Sequence, residues 1–334
     1  MDVTFGLALD FRSLMRRLDE VLAGYEALLH LAENQGFDSV SAGEGYPLRP
    51  AAGHLPSPLL ALAALARSTT LRLGTGVILL PAWNALRLAY DAAVLDQITG
   101  GRFFLGVGVS TPALQRRFGV DPSSVGDRVD DMLAAVRALW AGANGYEGKT
   151  LSIDGGIGVL PVQPGGPPLL VGGSIRRSVE RAATWGDGYI ASTNYGFAKI
   201  AQQSQRYRAA LMAHGRDAGA AQVMINRLTV VAETEQEARQ VARTYVGAVL
   251  QGYARGGALG DDPNERNASP EELFERFDVD WCLVGTPAQV AERVRRYAEA
   301  GVTHIQVRVC PADIPSELAV RTVELLGREV LPQF

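Results

Sequence analysis

The sequence predicts a single-domain (β/α)8 barrel, and three observations carry this prediction. Short apolar runs alternate with longer amphipathic stretches along almost the whole chain, as parallel βα units do. The short runs are rich in Val, Ile and Leu, which is typical of strands that are buried on both faces. Eight such runs are present, and eight parallel strands close a barrel of this kind.

The predicted elements follow one another in regular order over residues 1–334. The strands are Val3–Leu9, Ser39–Glu44, Leu71–Leu80, Phe103–Gly108, Leu169–Gly173, Gly188–Ser192, Val223–Val231 and His304–Val309. The helices are Leu18–Asn34, Ser57–Ser68, Asn84–Ile98, Asp127–Trp140, Ile175–Trp185, Phe197–His214, Glu235–Ala254 and Pro287–Ala300. Gly36 and Gly301 each follow a helix, at the position where a left-handed residue commonly ends it.

Two stretches interrupt the alternation and predict loop insertions. Residues Asn144–Pro168 are rich in Gly and Pro, which predicts an excursion with a hairpin through Thr150–Ile153. Residues Arg255–Asp280 are polar and Gly-rich before a short helical stretch, Glu271–Phe277, and predict a mobile lid over the barrel mouth. We expect this lid to become ordered when substrate binds. Slow hydrogen exchange in it that is indifferent to ligands would contradict the expectation.

A doubly wound open sheet is the alternative architecture, because the same alternation permits it. That fold needs a dinucleotide-binding fingerprint after its first strand. Residues 106–110 read Gly-Val-Gly-Val-Ser, which lacks the third glycine and follows the fourth strand. The barrel is therefore preferred.

Composition argues against several classes of protein. The 32 basic and 36 acidic residues leave a formal net charge of −4, and no Lys/Arg cluster is interleaved with aromatic residues, so a nucleic-acid partner is not expected. Cys282 and Cys310 lie far apart without the spacing of metal ligands, so neither a disulfide nor a metal site is expected. The first ten residues lack a signal-peptide pattern, and no apolar run reaches the ~20 residues of a membrane helix. We expect a cytoplasmic protein without a membrane partner.

Glycines mark two of the strand ends at which a barrel of this class carries its chemistry. Gly76 lies inside the third strand, and Gly106 and Gly108 lie at the end of the fourth. Glycine inside a strand marks a bulge or the close approach of another group. A flat ring can therefore lie against Thr75, Gly76 and Val77, with room left by the glycines of the fourth strand. Core packing by small residues is the alternative interpretation.

A glycine turn after the fifth strand predicts an anion site. Strand, turn and helix start follow directly there, and this geometry directs free N–H groups and the positive end of the helix dipole to one place. The expected phosphate contacts are Gly172, Gly173, Ser174, Ile175 and Arg176. Arg176 and Arg177 oppose the helix dipole in the first turn, which a nearby anion would explain. An ordinary helix cap at Ser174 with solvent-facing arginines is the alternative.

Two polar residues near the mouth are candidate catalytic groups. Glu44 ends the second strand between two glycines, and it is either a proton relay or substrate anchor, or a structural hydrogen-bond acceptor. His54, in the following loop, is a candidate acid or base. His214 near a helix end and His304 at the start of the eighth strand are not expected to be catalytic. Arg102, at the bottom of the barrel, is expected to make structural hydrogen bonds.

Taken in order, several segments resemble the luciferase-like monooxygenase superfamily. The matching segments of the first half are Gly36–Val40, Leu73–Pro81, Leu95–Phe103 and Leu105–Gly108. Those of the second half are Pro168–Ser174, Ala182–Gly188, Val284–Pro287 and Tyr297–Val302. The match spans most of the chain, and its ordering makes it specific.

The resemblance implies how a cofactor would bind. Members of this superfamily hold reduced FMN, or the deazaflavin coenzyme F-420, non-covalently at the barrel mouth, which would place the phosphate at Gly172 to Arg176. They often carry a non-proline cis peptide under the isoalloxazine ring, and Gly76-Val77 is the matching pair. A homodimer and a separate flavin reductase as partner are further implications.

The chain departs from the resemblance at two places. Luciferase-type members commonly carry Glu-His-His after the second strand, and deazaflavin-using members often carry Asp-His, whereas this chain has Glu44-Gly45-Tyr46. Val109 stands where luciferases place a phosphate-contacting arginine, which shifts the expected phosphate contact to Arg176 and Arg177.

Three functions agree with the sequence. The leading hypothesis is a flavin-dependent monooxygenase that uses reduced FMN and O2 to oxygenate a small organic substrate. The second is an F-420-dependent oxidoreductase that transfers a hydride. The third is a flavin-binding barrel without turnover.

Overall fold

Parallel strands surrounded by helices make up the computed structural model, which describes residues 2–11, 16–46, 56–256, 259, 263–310 and 313–334. The strands are β1 (Thr4–Leu9), β2 (Ser39–Ala42), β3 (Arg72–Thr75), β4 (Ile78–Leu79), β5 (Phe103–Gly108), β6 (Gly145–Glu147), β7 (Ser152–Asp154), β8 (Leu169–Gly172), β9 (Gly188–Ile190), β10 (Gln222–Val231), β11 (Cys282–Gly285) and β12 (His304–Arg308). The helices are α1 (Leu18–Asn34), α2 (Pro58–Leu65), α3 (Ala85–Thr99), α4 (Pro112–Arg117), α5 (Val125–Trp140), α6 (Arg176–Trp185), α7 (Phe197–Ala213), α8 (Glu235–Arg255), α9 (Pro263–Asn267), α10 (Pro270–Trp281), α11 (Pro287–Glu299) and α12 (Ser316–Leu325). No helix in these ranges is long and apolar enough to span a membrane.

The barrel closes through the strands β1, β2, β3, β5, β8, β9, β10 and β12, in that order, and β12 pairs back onto β1. Every predicted strand is in this ring. In the register, Leu7 of β1 pairs with Val40 on one side and with Val307 on the other. The third predicted strand is split into β3 and β4, and β4 pairs with the end of β5. The prediction of a single-domain (β/α)8 barrel is confirmed.

Glycines in the barrel wall let large side chains and backbone approach closely. A Cβ atom at Gly74 would lie 2.2 Å from the ring of Phe104, and one at Gly106 would lie 2.0 Å from the carbonyl oxygen of Thr75. Neither contact is possible for a real side chain. At these two positions, therefore, packing within the barrel accounts for the glycine.

Arg102 joins three parts of the barrel bottom, as predicted for a structural residue. Its Nε donates to the carbonyl of Thr99 at 2.9 Å, Nη1 donates to Leu71 at 2.6 Å, and Nη2 donates to Ala66 at 3.0 Å. Arg102 thus connects the start of β5 to the C-terminal ends of α2 and α3 and to the residue before β3.

Arg102→Ala is expected to lower the free energy of unfolding by about 2–4 kcal/mol, because it leaves three partly buried carbonyl groups without a donor. Urea denaturation measures this loss, with Arg67→Ala as the control at an exposed position on the same side of the barrel. A loss in Arg102→Ala no larger than that of the control would contradict the structural role.

Strand β11 was not predicted, and it extends the sheet outside the ring. Cys282 of β11 pairs with Leu228, which also pairs with Arg308 of β12. Because a strand residue pairs on only two sides, β11 lies on the side of β10 away from β12. The upper half of β10 packs there with α8 and α10 in a second apolar cluster.

The two predicted insertions contain regular structure in their described parts. An antiparallel hairpin of β6 and β7 forms within residues 144–168. In the second segment, α10 is longer than the predicted Glu271–Phe277, its Leu273 and Phe274 are buried against α8, and Arg239 pairs with Asp278 at 2.7 Å. Residues 270–281 are therefore a packed helix rather than a lid. A lid formed by the residues before Pro270 stays a prediction.

Candidate active site

The third strand breaks at the mouth of the barrel, where a flat ring was predicted to lie. The Gly76-Val77 peptide is cis, as the resemblance implied. The second strand holds both sides of this break, since Gly76 N donates to Ala42 O at 2.9 Å and Glu44 N donates to Val77 O at 2.9 Å. The result is a fixed bulge between β3 and β4, which we call the β3 bulge.

The carboxylate of Glu44 accepts hydrogen bonds at both oxygens. The Tyr46 hydroxyl donates to Oε1 at 2.6 Å, the backbone N–H of Leu79 donates to Oε2 at 2.6 Å, and the indole Nε1 of Trp83 lies 3.0 and 3.1 Å from the two oxygens. Burial and the Glu44 carboxylate raise the pKa of Tyr46 well above its usual value, so its hydroxyl remains a donor. These contacts tie β2 to the segment after the β3 bulge and favour the acceptor role for Glu44.

Thr75 and Gly106 lie inside the barrel wall beneath the β3 bulge. Thr75 Oγ1 donates to Gly106 O at 2.7 Å and accepts from Gly106 N at 2.9 Å, and both residues are buried. Gly108, one pleat higher, leaves space for Val77, because a Cβ there would lie 2.9 Å from Val77 Cγ2. Thr75 and Gly106 therefore support the surface on which a ring would lie, and the exposed part of that surface is Gly76 and Val77.

Two side chains hold the turn after β8 by hydrogen bonds to its backbone carbonyls, and the helix that follows begins without a side-chain cap. Tyr189 donates to the carbonyl of Gly173 at 2.8 Å and Gln203 donates to that of Ser174 at 2.9 Å, while Gly173 has a φ of 149°. The cap residue of α6 is Ile175, with no side-chain bond to the first turn. The helices α2, α5 and α7 also begin without such a bond, whereas α8, α10 and α11 are capped by Thr234, Ser269 and Thr286. The capping alternative for Ser174 is therefore wrong. Ser178 N donates to Ile175 O at 3.0 Å, and among the described residues the N–H groups of Arg176 and Arg177 are left for another acceptor.

The two arginines of the first turn have carboxylate partners in the protein. Arg177 Nη2 lies 2.7 Å from Asp127 and 2.5 Å from Asp130 of α5. Arg176 extends into solvent with 87% of its side chain exposed, 3.6 Å from Glu180. The negative groups expected near these arginines are therefore acidic side chains, and neither arginine is directed by the structure to a ligand.

Arg128 of α5 was missed by the sequence analysis and fits an anion better. It lies one helical turn before Met132 and in line with Ala135 and Leu139, which are fully buried against the barrel, so it is on the inner face nearest the mouth. Among the described residues, its Nε is buried without a hydrogen-bond partner, and so is the hydroxyl of Ser110 after β5. Buried polar atoms of this kind call for a ligand or water. An arginine on the apolar face of a predicted helix was the available signal.

A cavity of about 290 Å³ opens at the mouth beside the β3 bulge. It reaches from Glu44 and Gly76 to Asp10, Asn226 and Arg308. His54, the other candidate catalytic residue, lies outside the described residues.

A second cavity, also of about 290 Å³, lies at the opposite end of the barrel beside Arg72 and His304. That end carries the amino termini of the strands, where barrel enzymes do not place their chemistry. Burial lowers the pKa of His304 to about 3, so the ring is neutral, and it bonds to Ser39 at 3.0 Å. This position agrees with the expectation that His304 is not catalytic.

Known proteins resemble this chain over nearly its full length. It is 28% identical over 331 residues to the oxygenase component of a flavin-dependent trigonelline monooxygenase from Acinetobacter baylyi, covering 92% of this chain and 88% of that protein. It is 30% identical over 287 residues to an F420-dependent glucose-6-phosphate dehydrogenase from Kineococcus radiotolerans, covering 82% and 83%. The crystal structure of the monooxygenase RslO1 from Streptomyces bottropensis matches with a TM-score of 0.84 and 26% identity over 99% of both chains.

The first two of these relatives are named as enzymes that depend on a flavin or on F420, and the third is named as a monooxygenase, so this chain is an oxidoreductase with a flavin-type cofactor. Residues 3–304 match the family described as luciferase-like monooxygenase. The chain belongs to the luciferase-like monooxygenase family.

Proposed function

We propose that this protein is a monooxygenase that uses reduced FMN and O2 to oxygenate a small organic substrate. The observation that carries the proposal is the strand order, which places the β3 bulge and the start of α6 on one side of the barrel mouth, and we call this side the proposed cofactor surface. The bulge and the turn after β8 are separated by two strand spacings, because β3, β5 and β8 are neighbours in the ring. At ~4.8 Å per spacing this is roughly 10 Å, a distance that a ribityl chain covers.

The residues present fit an FMN phosphate at one end of this surface. The first N–H groups of α6 and the guanidinium of Arg128 would bind it, and the Ser110 hydroxyl would find the acceptor that it lacks. Ser174 contributes a further hydroxyl at the turn. Arg176 would act only through its charge, because its side chain points into solvent.

The other end of the surface fits the ring. Gly43 and Gly76 carry no side chains that would cover the β3 bulge, and a Cβ at Gly43 would lie 3.1 Å from Gly76 O. When bound there, reduced FMN supplies the electrons and the reactivity toward O2. The chain's own part is to hold the bulge in place through Glu44 and to keep water away with the apolar walls of the cavity at Leu9 and Phe11.

A relative named as an oxygenase component supports a partner that reduces the flavin. We infer that this protein likewise receives reduced FMN from a separate reductase. Hydride transfer with F-420 is the second candidate function, favoured by the 30% identical F420-dependent relative.

Anaerobic titration with reduced FMN and with reduced F-420 tests the proposal. We expect reduced FMN to bind at least tenfold more tightly, and we expect Arg128→Gln to weaken FMN binding by about tenfold because one charge-assisted bond is lost. Arg177→Gln is the matched control, since that arginine already pairs with Asp127 and Asp130, and it should change FMN affinity less than threefold.

Admission of labelled O2 to the FMN complex with candidate substrates then gives the reaction class by product mass. Tighter binding of F-420, together with a reduced product that carries no label, would replace the monooxygenase by the hydride-transfer enzyme. Binding of FMN without any product would leave the flavin-binding barrel without turnover, and binding of neither cofactor would contradict the proposed function.

A further inference from the structure

The order of the strands divides the barrel mouth into two halves. The proposed cofactor surface lies over β3, β5 and β8. The mouth cavity is lined instead from β1, β2, β10 and β12, with Gly76 and Thr193 at its borders. Its volume of about 290 Å³ suits a small organic molecule lying beside the ring position.

A buried ion pair forms one wall of this cavity. Arg308 Nε donates to Asp10 Oδ2 at 2.9 Å, and Nη2 donates to the same oxygen. Arg308 Nη1 donates to the Tyr253 hydroxyl at 2.7 Å. Asp10 and Arg308 are only 8% and 7% exposed, so solvent screens this pair little. The positive charge at the cavity wall is therefore compensated by a carboxylate in direct contact with it.

Asn226 supplies an uncharged polar group in the same cavity. It lies in the middle of β10 between Ile225 and Arg227, both fully buried, and it lines the cavity. Its Oδ1 is buried without a hydrogen-bond partner among the described residues. A buried carboxamide oxygen without a partner is destabilising, and a polar group of a ligand would relieve that cost.

We propose, on the basis of the proposed cofactor position, that this half of the mouth is a substrate pocket selective for uncharged compounds that carry an N–H or O–H donor, such as a primary amide. The substrate's N–H or O–H group donates a hydrogen bond to Asn226 Oδ1. Asp10 sets the selectivity, because it neutralises Arg308 and repels a second anion. Carboxylates and phosphate esters are thereby excluded, which is specificity by a repulsive element.

Benzamide and benzoate test this selectivity, because they have the same shape and differ in charge. Their dissociation constants are measured by calorimetric titration of the full chain, without cofactor, at neutral pH. The wild type is expected to bind benzamide at least tenfold more tightly than benzoate. Asn226→Ala should weaken benzamide binding by about tenfold and leave the affinity for reduced FMN within twofold.

Asp10→Asn is the decisive variant, because it leaves the charge of Arg308 without compensation. We expect its preference to reverse, with benzoate bound at least tenfold more tightly than benzamide, and benzoate should raise its Tm while leaving that of the wild type unchanged. Should Asp10→Asn not fold, the double variant Asp10→Asn/Arg308→Gln removes both charges. It is expected to retain the preference for benzamide.

Three results would overturn the proposal: wild-type protein that prefers benzoate, wild-type protein that binds neither compound, or an Asp10→Asn variant with an unchanged preference. Because both ligands are titrated without cofactor, these results are independent of FMN binding. Failure of the wild type to bind FMN or F-420 would count against the proposed function alone.

Discussion

Ser174→Asp is expected to weaken the binding of reduced FMN by at least a hundredfold. A carboxylate at the uncapped start of α6 would occupy the first N–H groups and repel the phosphate dianion. A hundredfold loss corresponds to about 2.7 kcal/mol, which is within reach of losing several charge-assisted bonds. Anaerobic calorimetric titration measures the change.

Riboflavin and Ser174→Ala make this prediction specific to the phosphate. Riboflavin has the ring without the phosphate, so its affinity should change less than threefold in Ser174→Asp. Ser174→Ala removes only one hydroxyl and should cost no more than about tenfold in FMN affinity. Unchanged FMN affinity in Ser174→Asp would remove the anion site from the start of α6, and equal losses for FMN and riboflavin would indicate general disruption instead.

Glu44→Ala is expected to lower turnover by about a hundredfold or more and the free energy of unfolding by about 3 kcal/mol. The reason is that Leu79 N–H and Trp83 Nε1 would lose their acceptor, and the segment after the β3 bulge would lose its tie to β2. Glu44→Gln keeps one carbonyl oxygen for these donors, and its amide group can donate to the Tyr46 hydroxyl. Its turnover should therefore stay within about tenfold of the wild type.

The pair of Glu44 variants separates positioning from proton transfer. If Glu44 is a proton relay, Gln should lose about a hundredfold in turnover with unchanged Tm and cofactor affinity. That outcome would contradict the positioning role and restore Glu44 as a catalytic residue. Thermal denaturation and pH profiles of both variants, measured side by side, decide between the two.

Local patterns were sufficient for the barrel but not for every strand. The strands of the ring lie within short, largely apolar stretches bounded by turn residues, and this pattern can be recognised from the sequence alone. Strand β11 lacks such a boundary, because Trp281 ends α10 and Cys282 begins the strand directly. Helix α12 was likewise missed after the last strand.

The candidate site was predictable where it depends on neighbouring residues in the sequence. The glycine turn and helix start at Gly173 form one short segment, and the structure holds them together as expected. Arg177 was predicted to lie near a bound anion. Its partners are instead Asp127 and Asp130, which belong to a helix about 50 residues earlier, and the sequence alone does not show that this helix packs beside α6. Arg128 was missed for a similar reason. Which part of the barrel its face of α5 contacts is known only once the packing of the helix is known.

A crystal structure of the protein with FMN bound would show where the phosphate and the ring lie. We expect phosphate oxygens within about 3 Å of the first N–H groups of α6 and of the Arg128 guanidinium, with the ring against the Gly76-Val77 peptide. FMN bound instead at the opposite end of the barrel, beside Arg72 and His304, or with its phosphate away from α6, would contradict this expectation.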